Sequence, residues 1–129
     1  MKRFLLFVFS LFATLGNTSY AVFPQEDPEV LQAGRKDVSS QSLLSKAQDR
    51  LNLQPDSAVF YALKALRNVD AHTHDSLVSE IYYVLGYGHY NQNNYDSAVT
   101  YFKRLLQFSR EHQLPAREAL ALNRLGNTF

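Results

Sequence analysis

Asp70-Ala71-His72-Thr73-His74-Asp75 sets two imidazoles and two carboxylates within six residues. Such groups hold zinc when about four of them are fixed near 2 Å from the ion. The run lies between two helical patterns, however, and its Asp and Thr side chains suit local bonding to their own backbone. It is read as a polar turn, and no metal is assigned. A zinc-dependent activity built on His72 and His74 is the competing reading, and zinc retained through dialysis would mark it. A second set suits recognition. Tyr83, Tyr87 and Tyr90 recur at i, i+4 and i+7, one stripe of a helix, with Glu80 and Asn91 flanking them. Forty residues beyond Tyr83 and Tyr87 stand Asn123 and Asn127. Tyrosines combine flat apolar area with a hydroxyl at low entropic cost, which suits holding a peptide. The same rings can equally pack on a neighbouring helix, and the residues alone leave both readings open.

No reactive pattern is complete. There is no glycine-rich phosphate loop, no serine in a nucleophile elbow and no carboxylate pair forced together by a rigid site. Gly86-Tyr87-Gly88 falls inside a helical pattern and is no phosphate cradle. The chain has no cysteine, which excludes a disulfide framework, a thiolate zinc site and a catalytic thiol. Its 13 Lys and Arg against 12 Asp and Glu leave a net charge of +1, with no basic surplus to neutralise phosphates. The sequence therefore reads as a non-enzyme, without cofactor, metal or nucleic-acid partner.

The elements that position these side chains are helical. In 129 residues that are 46% hydrophobic and 19% charged, the composition is globular. An internal echo organises them: Asp56-Ser57-Ala58-Val59 returns as Asp96-Ser97-Ala98-Val99, and Leu85-Gly86 as Leu125-Gly126, both forty residues on. Leu77, Ile81, Tyr82, Leu85 and His89 share one face at three-and-four spacing, as do Val99, Phe102, Leu105 and Leu106 with Ala98. Asn94 suits an N-cap, and Pro55 and Pro115 suit first helical positions. The pattern predicts five helices, over 39–52, 55–69, 76–91, 95–111 and 115–129, and no strand.

Tyr82-x-x-Leu85-Gly86-x-x-His89 followed by Ala98-x-x-x-Phe102 resembles the tetratricopeptide repeat signature. Leu122-x-x-Leu125-Gly126-x-x-Phe129 resembles the first half of another repeat. The first unit departs from it, with Ala58, Ala62 and Ala65 on its second helix but Ser45 and Lys46 at the Leu-Gly positions. The resemblance implies an all-α, antiparallel helix-pair solenoid of about two and a half repeats over 39–129, with a forty-residue period instead of about 34. It implies that Gly86 and Ala98 let two helices cross closely, with Leu105 and Leu106 reaching the next unit. It also implies a protein or peptide partner in a groove lined by the first helix of each pair. Some relatives grip a C-terminal carboxylate there with Lys, Arg and Asn. Only Asn127 looks similar here, the matching places in the first unit being Leu43 and Ala47, so no such clamp is expected.

The start of the chain reads as an address. Lys2 and Arg3 precede a 12-residue, mostly apolar run from Phe4 to Leu15, and Ser19 and Ala21 sit at −3 and −1 of a cleavage site. A spanning helix needs about 20 apolar residues, so residues 1–21 are read as a signal peptide and 22–38 as a flexible leader. Loss of Lys2 and Arg3 takes the net charge from +1 to −1. Phe129 falls part-way through a repeat, which suggests the front of a longer bacterial chain. The expected role is a scaffold exported to the periplasm or cell envelope. The alternative is the extracytoplasmic sensor region of a membrane-bound kinase or DNA-binding regulator, which an apolar run of about 20 residues beyond Phe129 would favour.

Overall fold

The computed structural model describes residues 28–129, with side chains from residue 39 onward. The signal-peptide reading of 1–21 and the first part of the leader lie outside the described residues. Five helices follow: α1 Pro28–Arg50, α2 Pro55–Arg67, α3 Asp75–Asn91, α4 Tyr95–Glu111 and α5 Pro115–Thr128. Among the described residues there is no strand, and no helix is long and apolar enough to cross a membrane.

Local chemistry sets the boundaries. Helices α2 to α5 begin at 55, 75, 95 and 115, one every twenty residues, so the forty-residue echo is two helix-plus-turn units. In α3 and α4 each unit is a seventeen-residue helix with a three-residue turn, which makes the repeat longer than usual. Pro55 and Pro115 open α2 and α5, where the missing N–H has no intrahelical partner to lose. The Asn94 side chain accepts the Ser97 N–H and caps α4. Asn93 and Gln113 adopt left-handed φ of 59° and 54°. After each, the chain folds back to donate from Asn94 to the His89 carbonyl (2.9 Å) and from Leu114 to the Ser109 carbonyl (2.8 Å), the bond that ends a helix in a Schellman turn.

One boundary differs from expectation. α1 begins at Pro28, well before the expected start at 39, so its first turns run through the stretch read as leader. Those turns carry no apolar period for a sequence reading to detect. Pro28 at the first helical position is the signal that was there to use.

Each helix packs on the next, and the first helices of successive pairs also touch, α1 with α3 and α3 with α5. Leu44, Ala47, Val59, Ala62, Ala65, Ile81, Val84 and Leu85 form one buried cluster; Ala98, Phe102 and Leu125 form a second, with Tyr83 packed against both. Helix α3 is buried over a wider arc than one stripe: Val78, Ser79, Val84, Gly86 and Gly88 join Ile81 and Leu85. A helix in the middle of a stack has a neighbour on either side, so a single-stripe pattern understates its core. Tyr82 and His89, read as core, are instead half-buried. Tyr82 meets Phe108 edge-on at 5.8 Å, and His89 stacks on Tyr101 at 5.4 Å.

Gly86 lies where α4 comes closest to α3. A Cβ on Gly86 would lie 2.5 Å from a Phe102 ring carbon, so the room left by Gly86 is filled by Phe102, one turn beyond Ala98. Ala98 is fully buried beside it. In the first unit the residue forty before Phe102 is Ala62, also fully buried. With no ring there, Lys46 can stand where the central unit needs glycine. Gly88 serves the opposite face, where a Cβ would lie 2.8 Å from the Val59 side chain. In the last unit Leu125 is buried, while Leu122 and Gly126 are exposed, and a Cβ on Gly126 would meet nothing within 4 Å.

Candidate functional site

Along the inner row of first helices, α3 presents its three tyrosines as a ladder. Tyr83 and Tyr87 stack at 6.0 Å and Tyr87 and Tyr90 at 6.2 Å, each pair within 7° of parallel. Tyr95, at the start of α4, closes the end edge-on to Tyr90 at 5.4 Å. The i, i+4, i+7 spacing accounts for this, since those positions stand above one another on a helix. Both readings of the tyrosines describe part of the ladder. Tyr83 and Tyr87 pack against the buried clusters, whereas Tyr90 is 36% exposed.

Facing them, α5 contributes Arg124. Its guanidinium carbon lies 4.9 Å from the Tyr87 ring centre and 5.6 Å from that of Tyr83, within cation–π range. Arg124 Nη2 donates to the Tyr83 hydroxyl at 2.9 Å. Tyr87, Tyr90, Phe102, Arg124, Asn127 and Thr128 line a cavity of about 300 Å³ between the two helices. Arg124 is absent from the sequence reading because its position matches Val84, off the stripe of Asn123 and Asn127. Its long side chain reaches sideways from that position, and nothing in the spacing announces it.

The remaining expected groove residues divide. Asn127 lines the cavity, and its side-chain amide donates to Asn123 Oδ1 at 3.2 Å; Asn123 itself is not in the lining. Glu80 is held between Gln48 of α1, which donates to it at 3.1 Å, and Arg117 of α5, with which it forms an ion pair. It ties three first helices together. The Asn91 amide donates to the Leu51 carbonyl at 2.8 Å and so fastens α3 to the turn after α1. Glu80 and Asn91 thus have partners within the fold, outside the cavity. Leu43 and Ala47, the matching places on α1, are half-buried and buried.

The histidine-bearing turn is organised by its own backbone. Asp70 Oδ1 accepts the His72 N–H at 3.0 Å and the Thr73 hydroxyl at 3.2 Å, and the Thr73 hydroxyl oxygen accepts the Asp70 N–H at 3.0 Å. His72 and His74 are exposed. Among the described residues no three His, Asp or Glu side chains converge as metal ligands would. At the far side of α3, burial holds the His89 imidazole below its ordinary pKa, opposed by a hydrogen bond with the Gln92 side chain. His112 Nδ1 lies 3.0 Å from Asp75 Oδ2 and its ring stacks on Phe108 at 4.0 Å, linking the end of α4 to the start of α3.

Residues 79–112, spanning most of α3 and all of α4, match the model of the tetratricopeptide repeat family. No curated protein and no solved structure matches the chain.

Proposed function

We propose that this tetratricopeptide-repeat chain is a non-catalytic scaffold, exported to the cell envelope of a bacterium, that holds a segment of another protein between α3 and α5. Repeats of this family are protein-interaction modules. The observation that carries the reading is the half-open cavity where the tyrosine ladder meets Arg124. Aromatic and arginine side chains around a sheltered pocket are the residue types that dominate protein recognition. Export is supported by the sequence of residues 1–21 alone, with its charged start, short apolar run and Ser19-x-Ala21 cleavage pattern.

The test uses the full chain as bait in an envelope extract, beside Tyr90→Ala and Asn127→Ala in the cavity lining and Lys103→Ala on the exposed face of α4. Wild type and Lys103→Ala should capture the same protein, and Tyr90→Ala should capture about tenfold less or worse. Equal capture by all four would remove the groove from the account. Export has a separate readout: secreted material should begin at Val22 by intact mass, and an unprocessed chain retained in the cytoplasm would count against it.

A further inference from the structure

The first helix pair carries a cluster that the groove does not use. Lys46 and Arg50 of α1 both lie over the ring of Tyr61 on α2, the Lys46 Nζ 5.9 Å and the Arg50 guanidinium carbon 4.9 Å from its centre. Phe60 meets Tyr61 edge-on at 5.4 Å, and Lys64 Nζ lies 5.4 Å from the Phe60 ring centre. Two touching rings thus gather three cations from two helices onto one surface. Arg67, three residues beyond Lys64 and also exposed, adds a fourth. None of the four forms an ion pair among the described residues, where Arg110, Arg117 and His112 each have a carboxylate. Of the two acids nearest in sequence, Asp56 accepts from the Gln92 side chain at 2.6 Å, and Asp49 pairs with none of the cations. Lys46 with Arg50 and Lys64 with Arg67 are like charges at i, i+4 and i, i+3, a spacing that destabilises a helix. An anion from outside the chain would relieve that repulsion.

The same pair of helices exposes apolar side chains. Phe60 is 56% exposed, and Leu53, in the turn that leads into α2, is 88% exposed. We propose that this face of α1 and α2 docks on the anionic surface of a phospholipid bilayer, with Lys46, Arg50, Lys64 and Arg67 on the headgroup phosphates and Phe60 in the boundary beneath. Charge complementarity selects an anionic surface, because no carboxylate of the described chain answers these four cations. The exposed ring selects a bilayer, which offers an apolar layer directly under its charge. The ring contacts hold the cations together, while their long stems let the charged heads follow a mobile surface. The patch shares no residue with the cavity between α3 and α5, so the inference stands whether or not that cavity holds a peptide.

Co-sedimentation of the full chain with vesicles at low salt tests this. One set is phosphatidylcholine alone, and the other is about three parts phosphatidylcholine to one of phosphatidylglycerol. The apolar run from Phe4 to Leu15 is common to every variant, so the readout is the difference between variants. Lys46→Gln combined with Lys64→Gln should bind the mixed vesicles at least about tenfold more weakly than wild type, at about fivefold for each charge removed. Phe60→Ala should lose about fivefold or more. Lys103→Gln combined with Arg104→Gln, which removes the same charge from the exposed face of α4, should lose less than about threefold. All the replaced side chains are exposed, and thermal melts matching wild type establish that the variants fold. Equal loss in the two double variants would overturn the patch, with net charge alone at work. Equal binding of wild type to both vesicle types, or to neither, would overturn the anionic surface. A soluble DNA duplex bound through Lys46 and Lys64, with Phe60→Ala unchanged on vesicles, would overturn the bilayer in favour of a soluble polyanion.

Discussion

At the scale of single residues, the two Leu-Gly pairs look alike in sequence and behave differently in space. Gly86 faces the Phe102 ring at a distance no Cβ tolerates, whereas Gly126 faces open space. Gly86→Ala should therefore lower stability by about 1–3 kcal/mol through overpacking. Gly126→Ala should raise it by up to about 0.5–1 kcal/mol, because alanine loses less backbone freedom in a helix. Thermal melts of the two variants, of opposite sign, check the assignment; melts shifted in the same direction would contradict it. His89 gives a pH test. Burial lowers its pKa from the ordinary 6.5, so near that pH the unfolded chain binds more protons than the folded one. The stability it contributes is intact above about pH 6.5 and is lost as pH falls toward the folded value. His89→Phe installs the residue found forty positions on, at Phe129. It should flatten the fall in Tm between about pH 7 and pH 5. An unchanged slope would show that His89 does not titrate in this way. The ladder residues were legible at this scale because their spacing is a helix period. Arg124 was not, because its role depends on how far a flexible side chain reaches across to another helix.

At the scale of elements, helices α2 to α5 were legible almost to the residue. Proline, an asparagine cap and the forty-residue echo mark their ends, and these are local signals that packing does not override. The turns hide one feature. Gln113 occupies a left-handed conformation that glycine adopts without steric cost. Gln113→Gly should stabilise the chain by roughly 0.5–1 kcal/mol, because the relief of strain outweighs the added freedom of the unfolded state. Denaturant titration with an unchanged m-value would register this as a higher midpoint, and a lower midpoint would mean that the turn is not strained. Two element-level readings needed correction. α1 begins at Pro28, before its apolar period becomes visible in the sequence. α3 is buried on two sides, and no single-stripe pattern separates a middle helix from an edge one.

At the scale of the whole molecule, the proposed groove is a product of stacking. No helix forms the cavity alone: α3 supplies the rings, α5 the cation, and α4 supplies the Phe102 that lies against Gly86 and also lines it. Glu80 ties α1, α3 and α5 at one end of the inner row, so a change in one unit is felt by its neighbours, as in other repeat arrays. The sequence echo made the stack readable. The meeting of α3 with α5 across the cavity was readable only as a consequence of the resemblance. That meeting is best measured by the NMR frequency of the Arg124 Nε–H in the full chain. A guanidinium lying over the faces of Tyr83 and Tyr87 must feel their ring currents, so the resonance should sit upfield of a solvent-exposed arginine and return toward it in Tyr87→Leu. An Arg124 signal at the exposed-arginine position in the wild-type chain would mean that the rings and the cation do not meet, and the groove would not exist.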